Sequence, residues 1–252
     1  MIFKADLHIH TVLSPCGDLE MSPSAIIETA RLKGLDIIGI TDHNSTLNAD
    51  ITRKIGEKNG IFVLMGAEVQ TIEEVHCLCF MPNSEKLGLF QQFLDENIIK
   101  IPNDVNNFGY QLVVDEFENI LGEIPFFLVS SLKLSIEEVS KMVYELDGIF
   151  IPAHVDRPFM SLSSQLGFVP PDLKFDILEL SRSGLLNNFP KTNNFFENYA
   201  YITSSDSHYL KDIARVYTEI ELDGIDFYKL KRALELKKVK PIINENNRFT
   251  YY

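Results

Sequence analysis

The segment Ala5-Asp6-Leu7-His8-Ile9-His10-Thr11 decides how the rest of the chain is interpreted. Its alternation of apolar and polar residues predicts a short β-strand, on which successive side chains point to opposite faces. His8 and His10 would therefore lie side by side, and two adjacent imidazoles form half of a metal site. Two polar residues on a solvent-facing strand would give the same pattern, so the interpretation depends on residues further along the chain.

The composition is that of an ordinary globular protein with an excess of acidic residues. The chain has 252 residues, a length that suits one α/β barrel or two small domains. The formal net charge of −13 argues against a general nucleic-acid-binding surface, because phosphate backbones are bound by Lys and Arg. Bound divalent metal ions would offset this charge locally, so a small anionic substrate is compatible with it.

The cysteines and the N-terminus indicate a cytoplasmic protein. Three cysteines do not make a disulfide framework in a chain of this length, and Cys77 and Cys79 lack the Cys-x-x-Cys spacing of a zinc ribbon. Residues 1–4 lead directly into the first strand without a signal segment, and no apolar run is long enough to cross a bilayer. We therefore expect a cytoplasmic location and no membrane partner.

Strand and helix patterns alternate along most of the chain. Ser22-Pro23 marks the start of a helix that Gly34 ends, and Ser135 with Glu138 forms a capping box at another helix start. Further helices are predicted at about 47–58 and 226–237, and strands at 36–41, 61–67, 75–80, 149–153, 175–180 and 201–204. Repeated βα units predict parallel strands with outer helices, closed into a barrel whose active site lies at the carboxyl ends of the strands.

Residues 101–134 interrupt this alternation. Two apolar runs, 111–114 and 120–124, flank the polar turn 116–119 and predict a β-hairpin insert. A lid, a dimer contact and plain decoration all stay open as its role. We interpret residues 1–252 as one domain that includes this insert.

Histidines and carboxylates occur where these strands end. Five of the six histidines lie at or just after the end of an apolar strand, and the sixth, His76, lies within one; the others are His8, His10, His43, His154 and His208. Asp18, Asp42, Glu68 and Asp206 occupy similar positions, although Asp18 and Asp42 also fit turns or helix caps. Convergence at one end of a barrel predicts a centre of two to three divalent ions. Imidazole and carboxylate ligands without a thiolate run suit Zn, Mn or Fe.

These motifs, in this order, resemble the PHP (polymerase and histidinol phosphatase) family. They are Asp6-Leu7-His8-Ile9-His10, Ile40-Thr41-Asp42-His43, Glu68 with His76, Pro152-Ala153-His154, and Ser205-Asp206-Ser207-His208. The resemblance covers nearly the whole chain. It implies an α/β fold, a distorted (β/α)7 TIM-like barrel, with a trinuclear metal centre.

The resemblance also implies how the ligands are shared among three ions. The first ion would be held by His8, His10, Glu68 and Asp206. Glu68 would bridge to the second ion, which would also be held by His76 and His154. The third ion would be held by Asp18, His43 and His208, with Cys16 as a rival ligand in a first loop lengthened by residues 14–17.

Such a centre predicts a metal-dependent phosphoesterase. Clustered divalent ions lower the pKa of a bridging water and neutralise charge on phosphoryl oxygens in the transition state. We expect a metal-bridging hydroxide to attack a small soluble phosphoester, with Asp206 or a neighbouring histidine such as His208 relaying the proton. Arg157, then Arg182 and Arg215, are candidates to bind the phosphate, since guanidinium matches phosphate bidentately. A surface salt bridge is the alternative for each arginine.

Three other functions stay open at this point. Amidohydrolase barrels that cleave C–N bonds use similar histidine-rich clusters, and an arginine near the metals would favour a phosphoesterase over them. A nuclease or polymerase-associated module fits the family, but the acidic composition counts against it. A non-catalytic regulatory domain would have no use for nine potential ligands.

Overall fold

The structure is a computed structural model that describes residues 1–244. Its strands are β1 Ile2–Ile9, β2 Ile37–Ile40, β3 Phe62–Gln70, β4 His76–Met81, β5 Leu112–Val114, β6 Ile120–Glu123, β7 Ile149–Pro152, β8 Leu178–Leu180, β9 Tyr201–Thr203, β10 Val216–Glu221 and β11 Val239–Ile243. Its α-helices are α1 Pro23–Leu32, α2 Ala49–Lys58, α3 Ser84–Asn97, α4 Val105–Phe108, α5 Ile136–Glu145, α6 Leu162–Gln165, α7 Arg182–Leu186, α8 Phe189–Thr192 and α9 Phe227–Glu235. Within this part of the chain, no helix has the length and apolar character that crossing a membrane requires.

Seven strands form one curled mixed sheet in the order β11-β10-β1-β2-β3-β4-β7. β1, β2 and β3 run parallel, β4 is antiparallel to β3 and β7, and β10 is antiparallel to β1 and β11. The parallel pair β8–β9 fills the gap between the two sides of the curl. The N–H of Val155, after β7, donates to the carbonyl of Glu179 on β8, and the N–H of Thr203 on β9 donates to Thr218 Oγ1 on β10.

The α/β class, the barrel-like curl and the hairpin insert, formed by β5 and β6, are confirmed. A strictly alternating parallel repeat is not observed, because residues 71–75 connect β3 to β4 without a crossover helix and the two strands therefore pair antiparallel. β10 and β11 escape sequence-based prediction because charged or proline positions interrupt their apolar pattern. The helix boundaries agree closely where caps exist, since Ser22 caps α1 and Ser135 with Glu138 forms the capping box of α5.

The strands pack into two buried cores. One lies between the sheet and helices α1, α2, α3 and α5. The other is formed among the strands themselves and is covered by α9, with Leu7, Ile37, Leu64, Phe80 and Leu230 among its members. Burial on both sides explains why the central strands consist of nearly continuous apolar residues.

Gly39 on β2 provides a test of this packing. A Cβ at Gly39 would lie 2.5 Å from the carbonyl oxygen of Leu7 and 2.9 Å from Cε1 of Phe80. We expect Gly39→Ala to lower the free energy of unfolding by about 1–3 kcal/mol, because backbone must move to admit the methyl group. Gly88→Ala is the matched control, since a Cβ there on α3 meets no atom within 4 Å, and it should gain about 0.5–1 kcal/mol. Urea unfolding measures both, and a Gly39→Ala protein as stable as the parent would contradict the packing.

Candidate metal centre

All six histidines converge with two carboxylates at one end of the sheet. The converging residues are His8, His10, His43, Glu68, His76, His154, Asp206 and His208. Their side chains are 0–9% exposed except for His208, which is 23% exposed. The first residue of β4 reaches this end because β4 is antiparallel, so its amino end lies beside the carboxyl end of β3. The site is therefore built at strand ends although the sheet is not a parallel barrel.

Glu68, on β3, lies at the centre of the cluster. Five imidazole nitrogens are within 3.4 Å of its two carboxylate oxygens: His76 Nδ1 at 2.8 Å, His154 Nε2 at 3.0 Å, His43 Nδ1 at 3.1 Å, His8 Nε2 at 3.3 Å and His10 Nε2 at 3.4 Å. Burial disfavours a charged carboxylate, but the surrounding imidazoles, His76 first, hold the pKa of Glu68 well below its usual value. Glu68 is thus an ionised carboxylate with both oxygens available to bridge cations.

Three groups of donor atoms can each hold a cation, because the donor atoms within each group lie within 4.8 Å of one another. The groups are His8, His10, Glu68 and Asp206; His43, Glu68 and His76; and His10, His43 and His208. Within residues 1–244, several of these buried atoms have no hydrogen-bond partner: His8 Nε2, His10 Nε2, His43 Nδ1 and Asp206 Oδ1. Buried polar atoms almost always have partners, so divalent ions fit the donors that this site presents.

The first of these groups contains the same four residues as the first ion site implied by the sequence. The other two differ, since His43 joins Glu68 and His76 in the second group and His10 joins His43 and His208 in the third. His154 remains 3.0 Å from Glu68. The division of ligands among ions remains a prediction.

Asp18 lies outside the three groups. Its N–H donates to the carbonyl of His208, and its Oδ1 accepts the N–H of Glu20, as expected of a turn residue. Cys16, the rival ligand in the same loop, is exposed and belongs to none of the groups either. The role of Asp18 as a ligand therefore rests on the sequence resemblance.

Asp206 and His208 differ in their electrostatics. Burial disfavours the charged form of Asp206, but His8, His10 and Arg157 hold its pKa well below the usual value. Burial and the nearby charge of His10 lower the pKa of His208 to about 4, so this imidazole is neutral at neutral pH. Its Nδ1–H donates to the carbonyl of Asp206 at 3.0 Å, which leaves Nε2 with a free lone pair.

The three predicted arginines line one cavity. It has a volume of about 480 Å³ and opens beside Asp206. Arg157 forms an ion pair with Asp206, and Arg215 forms one with Asp212 at 2.9 Å. Arg182 makes no ion pair with any other residue in the range 1–244. The lining also includes three carboxylates, Asp156, Glu179 and Asp206, so the arginines place guanidinium groups next to the metal ligands without giving the cavity a net positive charge.

Sequence analysis missed Glu179. Its Oε2 lies 3.1 Å from His8 Nδ1 and accepts the N–H of His154 at 3.0 Å. A carboxylate behind a histidine fixes the ring orientation and the tautomer that exposes the other nitrogen to a metal. A charged residue inside the apolar run 177–180 was the signal that could have revealed it.

Comparison with known proteins confirms the family resemblance found in the sequence. The PHP domain family model matches residues 6–154, more than half of the chain. The uncharacterised protein MJ1587 of Methanocaldococcus jannaschii is 28% identical over 197 residues, which cover 73% of this chain and 87% of that protein.

Two solved structures share the fold. The lesion-specific endonuclease Q from Pyrococcus furiosus aligns with a TM-score of 0.67 and 23% identity over 93% of this chain. The chain spans only 56% of the length of that enzyme. A two-domain protein from Bacteroides vulgatus, described as containing a predicted PHP-like metal-dependent phosphoesterase, aligns with a TM-score of 0.54 and 17% identity over 97% of this chain and 66% of that one.

The prediction that general nucleic-acid binding is unlikely is wrong. A second structure of endonuclease Q holds a 27-mer duplex substrate with an abasic lesion at the active site. It aligns with a TM-score of 0.67 and 22% identity, and the alignment covers 93% of this chain and 57% of that one. The net charge of −13 describes the whole chain, whereas binding of phosphates depends on the local charge around the site. Arg157, Arg182 and Arg215 place three guanidinium groups around this cavity, beside the carboxylates of Asp156, Glu179 and Asp206.

Replacement of Glu68 tests the centre directly. We expect Glu68→Gln to lose most of the metal that the parent protein retains, because the neutral amide removes the shared charge from two of the three donor groups. Elemental mass spectrometry on protein purified without chelator measures the ions per chain. Glu28→Gln on the exposed side of α1 makes the same chemical change and should leave the metal content at the parent value. Equal metal content in the two variants would exclude Glu68 as a shared ligand.

Proposed function

We propose that this chain, which belongs to the PHP domain family of metal-dependent phosphoesterases, hydrolyses a phosphoester in the cavity beside Asp206. The observation that carries the proposal is the contact of the Arg157 guanidinium with the Asp206 carboxylate. Asp206 belongs to a donor group of the centre, so a phosphate bound by Arg157 would lie next to the metal ligands. Guanidinium binds phosphate oxygens bidentately, which supports a phosphoester over the C–N bond that an amidohydrolase cleaves.

The protein's own residues have separable tasks in this proposal. Two to three divalent ions of Zn, Mn or Fe would supply Lewis-acid charge and an activated water. Arg157 binds and orients the phosphoryl group. Asp206 stays ionised opposite Arg157, and a proton released in the reaction would be relayed by Asp206 or by neutral His208, the latter only where its Nε2 does not hold an ion. Arg182, which makes no ion pair elsewhere in residues 1–244, is free to bind a further oxygen of the substrate.

A small soluble phosphoester is the substrate that we propose first. The cavity volume of about 480 Å³ is within the range of sites for small molecules. The second candidate is a nucleic-acid strand, favoured by the three arginines in one open cavity and by the fold shared with endonuclease Q. Both candidates present a phosphoester to the same residues.

Substitution of Arg157 tests the role of the cavity. We expect Arg157→Ala to lower kcat/KM for 4-nitrophenyl phosphate or its bis(4-nitrophenyl) diester by about 100-fold, since one charge-stabilising donor is removed. Arg157→Lys should recover only part of the activity, because lysine cannot bind two oxygens in one plane. Arg232→Ala is the control, since Arg232 is exposed on α9 and pairs with Glu235. Wild-type kcat/KM in Arg157→Ala, or in Asp206→Ala, would refute the proposed site.

Parallel activity assays distinguish the two substrate classes. We expect the manganese- or zinc-loaded protein to hydrolyse the small esters, to lose this activity in a chelator and to be inhibited by inorganic phosphate. A labelled DNA duplex with one abasic site is assayed in parallel. Cleavage of the duplex with no turnover of either small ester would replace the first substrate class by the second. Inactivity of the metal-loaded protein on all three substrates would contradict a phosphoesterase.

A further inference from the structure

The insert 101–134 is joined to the loops of the metal centre by two buried asparagines. Asn48 accepts the N–H of Val114 at Oδ1 and donates from Nδ2 to the carbonyl of Leu112, so it is bonded to both ends of β5. Asn44, directly after His43, donates both of its amide hydrogens to main-chain carbonyls of the insert. The insert therefore contacts the segments that carry the ligands.

Asn48 occupies a position at which the asparagine side chain normally caps the helix that follows. It is the N-cap residue of α2, yet its side chain makes no capping hydrogen bond. An N-cap asparagine normally accepts an N–H from the first turn, a bond worth about 1 kcal/mol. Here Oδ1 accepts the N–H of Val114 instead, and Nδ2 donates to Thr11 Oγ1 at 3.0 Å, next to His10 in the chain. The side chain thus connects the insert to the first strand instead of capping the helix.

The hydrogen bonds of Thr11 have only one consistent direction. Its Oγ1 accepts from Asn48 Nδ2 at 3.0 Å and from the N–H of Leu13 at 3.1 Å. A hydroxyl has two acceptor lone pairs and one hydrogen, so that hydrogen goes to Asp42 Oδ2 at 2.8 Å. The other oxygen of Asp42 accepts the N–H of Thr11 at 2.7 Å.

The same reasoning assigns the tautomer of His10. Ser14 Oγ donates to Asp42 Oδ1 at 2.7 Å and accepts the N–H of His43 at 3.2 Å. Ser14 Oγ has one lone pair left and lies 2.9 Å from His10 Nδ1, so Nδ1 must carry a hydrogen. In a neutral imidazole the lone pair is then on Nε2, which faces Glu68 at 3.4 Å. The same nitrogen lies 3.2 Å from Asp206 Oδ1, so it faces two other members of its donor group.

We propose that Ser14 and Asn48 are positioning residues of the metal centre, and that the insert holds His10 in its metal-binding tautomer through the chain Asn48–Thr11–Asp42–Ser14. Each side chain in this chain is at most 1% exposed, so water does not replace a lost partner. This gives the insert a role other than a lid, a dimer contact or decoration. Asp42, which the sequence leaves open as a ligand or turn former, serves here to orient Ser14 and Thr11. The inference rests on the metal centre of the proposed function.

Zinc affinity measures this positioning without any substrate. Competition with a chromophoric chelator gives the dissociation constants of the metal-free protein for Zn²⁺. We expect Ser14→Ala and Thr11→Val to weaken the tightest dissociation constant by about 10- to 100-fold, the usual cost of removing an outer partner of a ligand histidine. Thr11→Val keeps the side-chain shape and removes only the hydroxyl, whereas Thr11→Ser keeps the hydroxyl and should restore the parent affinity. Asn48→Ala should weaken affinity in the same direction.

Two matched controls separate positioning from general destabilisation. Thr52→Ala removes a buried hydroxyl from α2, the helix that Asn48 precedes, and in residues 1–244 this hydroxyl donates to the main-chain carbonyl of Asn48 and not to its side chain. Ser140→Ala removes a buried hydroxyl from α5 that donates a hydrogen bond to the carbonyl of Lys174. Both controls should keep the parent zinc affinity even where they lower the thermal midpoint of the metal-free protein.

The outcomes distinguish this inference from the proposed function. A parent protein that binds no zinc, manganese or iron would overturn both. A parent that binds zinc, with Thr11→Val and Ser14→Ala folded by circular dichroism and equal to it in affinity, would overturn only the positioning role. Should a variant not fold, imidazole nitrogen NMR of the zinc-loaded parent decides the question. A protonated Nδ1 on His10 supports the inference, and coordination through Nδ1 overturns it.

Discussion

The architecture depends on a buried carboxylate, Glu68, surrounded by imidazoles. A charge in such surroundings is costly unless it is compensated, and five imidazole nitrogens within 3.4 Å supply the compensation here. These histidines come from four strands or the loops that follow them. Curling the sheet is therefore the condition under which Glu68 can be charged and buried at once. Divalent cations held by this centre would add further positive charge around Glu68.

The antiparallel pairing of β3 and β4 explains how Glu68 and His76, eight residues apart, reach the same end of the sheet. The short connection 71–75 returns the chain as an antiparallel strand, so His76 starts β4 beside Glu68 with Gln70 opposite it in register. A parallel strand would have required a crossover helix and a longer segment. His154 and Asp206 both have positive φ values, 29° and 52°. Strained backbone of this kind persists where the surrounding contacts hold it, and it concentrates at functional sites.

Around the ligands lies a second set of buried polar groups, each with specific partners. Glu179 is hydrogen-bonded to Nδ1 of His8, and Ser14 is hydrogen-bonded to Nδ1 of His10. In a neutral imidazole both partners favour a lone pair on the nitrogen that faces the centre. The hydrogen bonds that run from Ser14 through Asp42, Thr11 and Asn48 end on Val114 of β5. They physically link the stability of the insert to the geometry of the site.

The sequence by itself determined the α/β class, the hairpin insert, the capped helix starts and the chemical types of the donors. These features are local, since apolar periodicity, capping residues and His-x-His spacing are readable within a few residues. Only the tertiary structure decided which donors share Glu68, why Asp18 lies outside the donor groups, and that Glu179 and Asn48 support histidines far away in sequence. It also brought Arg157, Arg182 and Arg215 into one cavity. Such contacts join residues separated by tens to hundreds of positions. They depend on strand register, strand direction and the curl of the sheet, none of which a local pattern encodes.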